Sequence, residues 1–232
     1  MLSTDQLAQA DRVPAVIVTP LGTVEFTVAL GSDTLSQVPD TVWRLPNGAR
    51  LHRWRTRTAT VDLLLGSIDV PAAESGERIP TWAAIWQVVA DAPVPGLTVA
   101  AELTDRPAGA DGGGDPGEWL AAVSLEDENF VVSIGGPDTE LLAMQAADGR
   151  LLPADWADVL PPDGDDSASE YGVRYTNPAR LAWHLPGLAT GEALRLCIAT
   201  AWCSRAGDPS AAWYAVDVPL DTAFYHLATN PA

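Results

Sequence analysis

The chain contains no lysine. All 13 of its basic residues are arginine, set against 31 acids, and the formal charge is −18. A chain so poor in cations lacks the basic footprint that phosphate backbones and anionic headgroups require, which excludes nucleic acid and membrane surface as general partners. Long apolar runs are missing as well, since none approaches the ~18 residues that span a bilayer. Residues 1–14, MLSTDQLAQADRVP, have neither the basic start nor the apolar centre of a secretory signal, so a cytoplasmic location is expected. Cysteine is scarce. Cys197 and Cys203 fall in one predicted strand, where six residues separate them by roughly 20 Å against a bridging limit of ~7 Å, so both are expected as free thiols. The three histidines, His52, His184 and His226, are scattered, and neither HExxH nor paired CxxC occurs. No metal and no cofactor are therefore expected. The acids Asp111, Asp115 and Glu118, and separately Asp163, Asp165 and Asp166, lack EF-hand spacing and read as solvated loops.

What the chain does have is apolar substance. Hydrophobic residues make up 47% of it and nine tryptophans are present, enough for a sizeable core in a single elaborated domain over residues 1–232. Short apolar runs punctuated by Gly and Pro point to a mainly β fold, an antiparallel β-sandwich or irregular barrel of about ten strands with one or two short helices; α+β is the alternative. Ser3 or Thr4 caps a predicted helix to Ala10, stopped by Pro14. A hairpin follows around residues 20–22, with Val24, Phe26 and Val28 on one face. Residues 81–90, TWAAIWQVVA, show no clean period and fit either a buried strand or one helical stretch, strand being the preferred reading; residues 97–103 and 118–125 read as further strands. Flexible loops are expected near 105–117 and 161–170. The strand at 130–134 is expected to end at Gly135 and Gly136. Behind them Asp138 caps a helix to Ala147 with Gly149 at its end, and a second short helix covers 152–160. That Gly-Gly step lacks both GxGxxG and GK[ST], so it is read as an ordinary turn and not a phosphate cradle.

Residues 180–220 form a predicted meander with strands at 180–185, 193–203 and 211–218. Its register places Trp183 opposite Leu196 and Trp202 opposite Trp213, with Leu181, Leu185, Leu194 and Ile198 on the same core face. It also places His184 opposite Arg195, one diagonal step from Cys197. Cys197 and His184 are thus the candidate catalytic pair, weighed against a small buried cysteine.

The functional pointer is residues 41–60, which hold five arginines and no acid. Asn47-Gly48 predicts a two-residue type I′ hairpin with Pro46 opposite Ala49. That register puts Arg44, Arg53, Arg55 and Arg57 on one face, and Trp43, His52 and Trp54 on the other. Guanidinium forks suit carboxylate or phosphate, so these arginines either neutralise acids of this same chain, their stems covering apolar surface, or meet a partner's acidic or phosphorylated surface. The leading expectation is a non-enzymatic binding or assembly protein, using this hairpin to contact an acidic protein partner or a second copy of itself. The alternative is a small enzyme, either a Cys/His hydrolase or a carboxylate-based carbohydrate-active enzyme. Stacking of sugar on exposed indoles is the less favoured partner reading, because Trp183, Trp202 and Trp213 fall on the predicted core face.

Overall fold

In the computed structural model, which describes residues 7–72, 76–161 and 169–228, two antiparallel sheets face one another across a common core. The first half of the chain supplies β1 (Ala8–Ala10), β2 (Val16–Thr19), β3 (Gly22–Leu30), β4 (Asp33–Thr34), β5 (Thr41–Arg44), β6 (Arg50–Arg55), β7 (Ala59–Ile68), β8 (Thr81–Ala90) and β9 (Leu97–Thr104). There follow β10 (Asp111–Gly114), β11 (Leu120–Glu126), β12 (Phe130–Pro137) and helix α1 (Thr139–Asp148), with a 3-10 turn at Ala154–Asp158. The chain then adds β13 (Gly172–Asn177), β14 (Arg180–Leu185), β15 (Ala193–Ser204), α2 (Ala211–Ala215) and α3 (Leu220–Ala228). The larger sheet has nine strands in the order β1-β5-β6-β7-β8-β15-β12-β11-β10; the smaller runs β13-β14-β9-β3-β2, with β4 pairing β3 at its side.

The β-sandwich expectation holds, and the strand alternation explains it. Val24, Phe26 and Val28 of β3 and Val99 and Ala101 of β9 point inward from the small sheet, meeting Val61, Leu63, Trp86, Leu196 and Ile198 from the large one. Strands β7 and β8 read as continuous apolar runs because their outer face is covered too. There the C-terminal segment lies over Leu64, Ala83, Ile85 and Ala199, seating Leu227, Ala223, Ala215 and Val216. Helix α1 is capped as its sequence demands: the Asp138 side chain accepts from the Leu141 N–H, and Gly149 at φ 67 closes the other end.

Several expectations are corrected. The predicted helix at 3–10 gives way to β1 at residues 8–10, and residues 1–6 lie outside the described residues. The supposed loop at 105–117 contains β10, paired to β11; the 161–170 loop, with Asp163, Asp165 and Asp166, lies almost wholly outside the described residues. Strand β12 continues through Gly135 and Gly136 instead of ending there. A Cβ on Gly135 would stand 2.7 Å from Val216 Cγ2, and one on Gly136 would stand 2.7 Å from Trp183 Cζ2, so these glycines serve close packing and not a turn.

The meander does not form. Its first two strands exist, but β14 belongs to the small sheet between β13 and β9, while β15 pairs with β8 and β12 in the large one. Residues 186–192 cross between the sheets, pressed so closely on the chain that a Cβ at Gly187 would lie 2.5 Å from the Val94 carbonyl oxygen. Trp183 and Leu196 are therefore both core residues, contributed by opposite sheets. The third strand is the helix α2, and Trp213 donates its indole N–H to the Asp115 carbonyl at 2.7 Å.

Candidate functional site

The arginine hairpin is built in a different register from the expected one. Leu45 N–H donates to Ala49 O (2.8 Å) and Gly48 N–H to Leu45 O (3.0 Å), leaving a three-residue loop of Pro46, Asn47 and Gly48. Gly48 takes φ 85 while Asn47 stays at negative φ. The physical reason is Pro46. A two-residue hairpin would need its N–H to pair with Ala49, and proline has none, whereas it suits the second position of a type I turn followed by a left-handed glycine. The loop shifts the pairing by one residue, to Arg44 with Arg50, Trp43 with Leu51 and Val42 with His52. A shift of one exchanges the faces.

The four arginines do not share a side. Arg53 is only 8% exposed and bound within the protein. It donates to both oxygens of Asp62, at 2.6 and 2.7 Å, and its guanidinium carbon lies 5.2 Å from the Trp43 ring centre. Arg44 stands on the opposite face, Arg55 is exposed at the end of β6, and Arg57 is exposed in the turn beyond it. His52 and Trp54 point into the inter-sheet core, their rings stacked at 6.2 Å. His52 is 1% exposed with neither ring nitrogen in a hydrogen bond of ordinary geometry. Burial, with the charge of Arg50, takes its pKa down to about 4.

The candidate catalytic pair is not assembled. His184 pairs across the small sheet with Thr98, its Nδ1 3.2 Å from the threonine hydroxyl, while Cys197 pairs with Ile85 in the large sheet. Burial pushes the Cys197 thiol up to about 12, the reverse of what a nucleophile requires. Both cysteines are free, as expected. Among the described residues no group of three or more potential metal ligands gathers.

A different place has the shape of a site. A groove of about 480 Å³ opens on the outer side of the large sheet, between α1, the turn joining β10 to β11 and the residues that link α2 to α3. Its floor is apolar, with Leu120, Leu141, Val216 and Val218. Around it stand acceptors, Glu118, Asp217 and Asp221, and donors, Arg195 and Gln145. Asp148, also at the rim, is paired with Arg150 at 2.5 Å. Partial desolvation raises the pKa of Asp217 although solvent reaches it.

Trp119 commands this groove. Gly117 and Leu120 bridge across a two-residue turn of Glu118 and Trp119, and the Trp119 backbone takes φ 62. A turn with positive φ at its second central position normally places Gly or Asn there, because a Cβ in that region costs roughly 1–2 kcal/mol. Trp119 nevertheless stays 45% exposed, beside Met144 at 49%. An aromatic side chain that is both strained in its backbone and open to solvent, at the mouth of a cavity, is a functional pointer. The sequence reading missed it. The available signal was a tryptophan at the very head of an apolar run, directly after the glycine-rich loop, in DPGEWL.

No protein-family model matches the chain, and no curated protein does. Among solved structures it is similar to a chain named "Putative kojibiose phosphorylase from human microbiome", at 8% identity and a TM-score of 0.45. The match covers 88% of this chain and 24% of that one, so this chain spans about a quarter of its length. A likeness at that distance carries no argument about the site, which rests on its own residues.

Proposed function

We propose that the groove binds a sugar ring and that the protein is a non-enzymatic carbohydrate-binding protein. The observation that carries this reading is Trp119, an exposed indole held at φ 62 over the groove. A sugar ring has an apolar face of C–H groups and an edge of hydroxyls. The indole offers a flat partner to the first, and the mixed rim offers partners to the second. Asp217, Glu118 and Asp221 accept hydroxyl protons; Arg195 and Gln145 donate to hydroxyl oxygens. A basic peptide is the obvious competitor on a chain of charge −18. Arg195 in the lining disfavours it, since a cation seated there would meet a like charge.

The test is calorimetric titration of neutral gluco-, galacto- and manno-oligosaccharides into the wild type and Trp119→Ala. The expectation is saturable binding by at least one sugar and its loss in the variant. No binding by any of them would remove the proposal, whereas release of new reducing ends or free monosaccharide from a bound oligosaccharide would replace binding with catalysis.

A further inference from the structure

We infer that Arg195 is the residue that selects the sugar's orientation in the groove, an assignment that rests on the carbohydrate reading above. Arg53 of β6, Asp62 of β7, Gln87 of β8 and Arg195 of β15 stand level on four consecutive strands, each paired with the next. Asp62 has both oxygens taken by Arg53, at 2.6 and 2.7 Å. Gln87 is neutral, and its Oε1 accepts from Arg195 Nε at 3.3 Å. The Arg195 main chain is held as well, its N–H donating to Leu151 O at 2.8 Å. Among the described residues no carboxylate forms an ion pair with Arg195. On a chain with 31 acids and 13 arginines, an arginine left without an acid in a cavity wall is kept so by its surroundings.

Those surroundings explain it. Asp62 lies two strands from Arg195, about 10 Å at ordinary sheet spacing, within the combined reach of the two side chains. Arg53 holds it away, and Gln87 fills the interval without charge. Arg195 therefore enters the groove as a donor fork that is aimed through its Nε but not neutralised. Such a fork matches two adjacent oxygens and cannot accept, so it engages neighbouring hydroxyls of one sugar edge through their oxygens. The acids on the other part of the rim take hydroxyl protons from the remainder of the ring. Arg195 contacts the ligand; Arg53 and Gln87 are positioning residues that act through it.

The experiment uses methyl glycosides and their monodeoxy analogues, titrated calorimetrically into wild type, Arg195→Gln, Arg53→Leu and the double variant Arg53→Leu/Asp62→Leu, each checked for folding by near-ultraviolet circular dichroism. Arg195→Gln should weaken binding tenfold or more and should lose the wild type's discrimination against glycosides lacking one of two adjacent hydroxyls. Arg53→Leu should weaken binding by releasing Asp62 toward Arg195, and the double variant, which has no Asp62 to release, should return to within about twofold of wild type. A folded Arg195→Gln with unchanged affinity and discrimination would overturn the assignment while leaving the carbohydrate reading intact. A folded double variant that still binds weakly would remove the positioning role of Arg53, and a wild type that binds no glycoside would overturn both readings together.

Discussion

Arg53 and Trp43 lie on one face of the large sheet, the guanidinium carbon 5.2 Å from the indole centre, with Asp62 gripping the same guanidinium from the neighbouring strand. A bidentate ion pair under an aromatic ring, 8% and 7% exposed, is satisfied only while both partners are present.

Removing one partner should therefore be far worse than removing both. Arg53→Leu takes the bidentate partner from a buried carboxylate, whose remaining recourse is a reach past Gln87 to Arg195, and should cost up to about 3–5 kcal/mol, whereas the leucine pair at both positions should fall within about 1 kcal/mol of wild type. Urea unfolding of the two variants measures this. Equal losses in both would mean that the pair is not coupled.

Trp119 makes a prediction about stability that separates backbone from side chain. Trp119→Ala removes the ring but keeps a Cβ at φ 62, while Trp119→Gly removes both. The glycine variant should be the more stable by about 1 kcal/mol, against the usual order in which alanine is favoured. Thermal unfolding of the pair checks it; an alanine variant as stable as glycine would show that the turn stores no strain.

Much of the fold was legible because burial on one face leaves a period of two. The hairpin of β2 and β3, the strands β9 and β11 and the capped helix α1 were all readable from alternation, turn residues and Asp138 with Gly149. Strand partners were not. Nothing local to 186–192 distinguishes a hairpin from a crossing between sheets, because the deciding contact is Gly187 against Val94, far away in sequence. The face of Arg53 was lost through Pro46, whose missing N–H outweighed the preference of Asn47-Gly48 for a two-residue turn. The groove was illegible for a further reason: Trp119, Arg195 and Asp217 come from three separate segments and meet only through the sheet order.

His52 sets a pH dependence. Its folded pKa, about 4, lies below the ordinary histidine value of 6.5, so the folded protein resists a proton that the unfolded chain takes up readily. The contribution is fully present above pH 6.5, is lost progressively as pH falls through that window, and levels off below about 4, with a total on the order of 3 kcal/mol. Unfolding free energies measured between pH 7 and 4 should fall more steeply in wild type than in His52→Leu. Parallel curves would show that His52 is not the group being titrated.

The thiols should be unreactive in the native protein. Burial raises the pKa of both Cys197, to about 12, and Cys203, and leaves little thiolate at neutral pH. Alkylation at pH 8 should be slow for both until denaturant is added, then complete without any reductant. Rapid native labelling of Cys197, which lines the groove, would mean that the floor opens to solvent.

The carbohydrate reading stands or falls most directly on the indole N–H resonances of the nine tryptophans during titration with a neutral oligosaccharide. Trp119 is the indole exposed in the groove, so its signal, assigned by its absence in Trp119→Ala, should move progressively and saturate. Trp86, Trp156 and Trp183, fully buried in the core, should stay in place. A titration that leaves the Trp119 resonance unmoved, or that shifts another indole instead, would contradict the account.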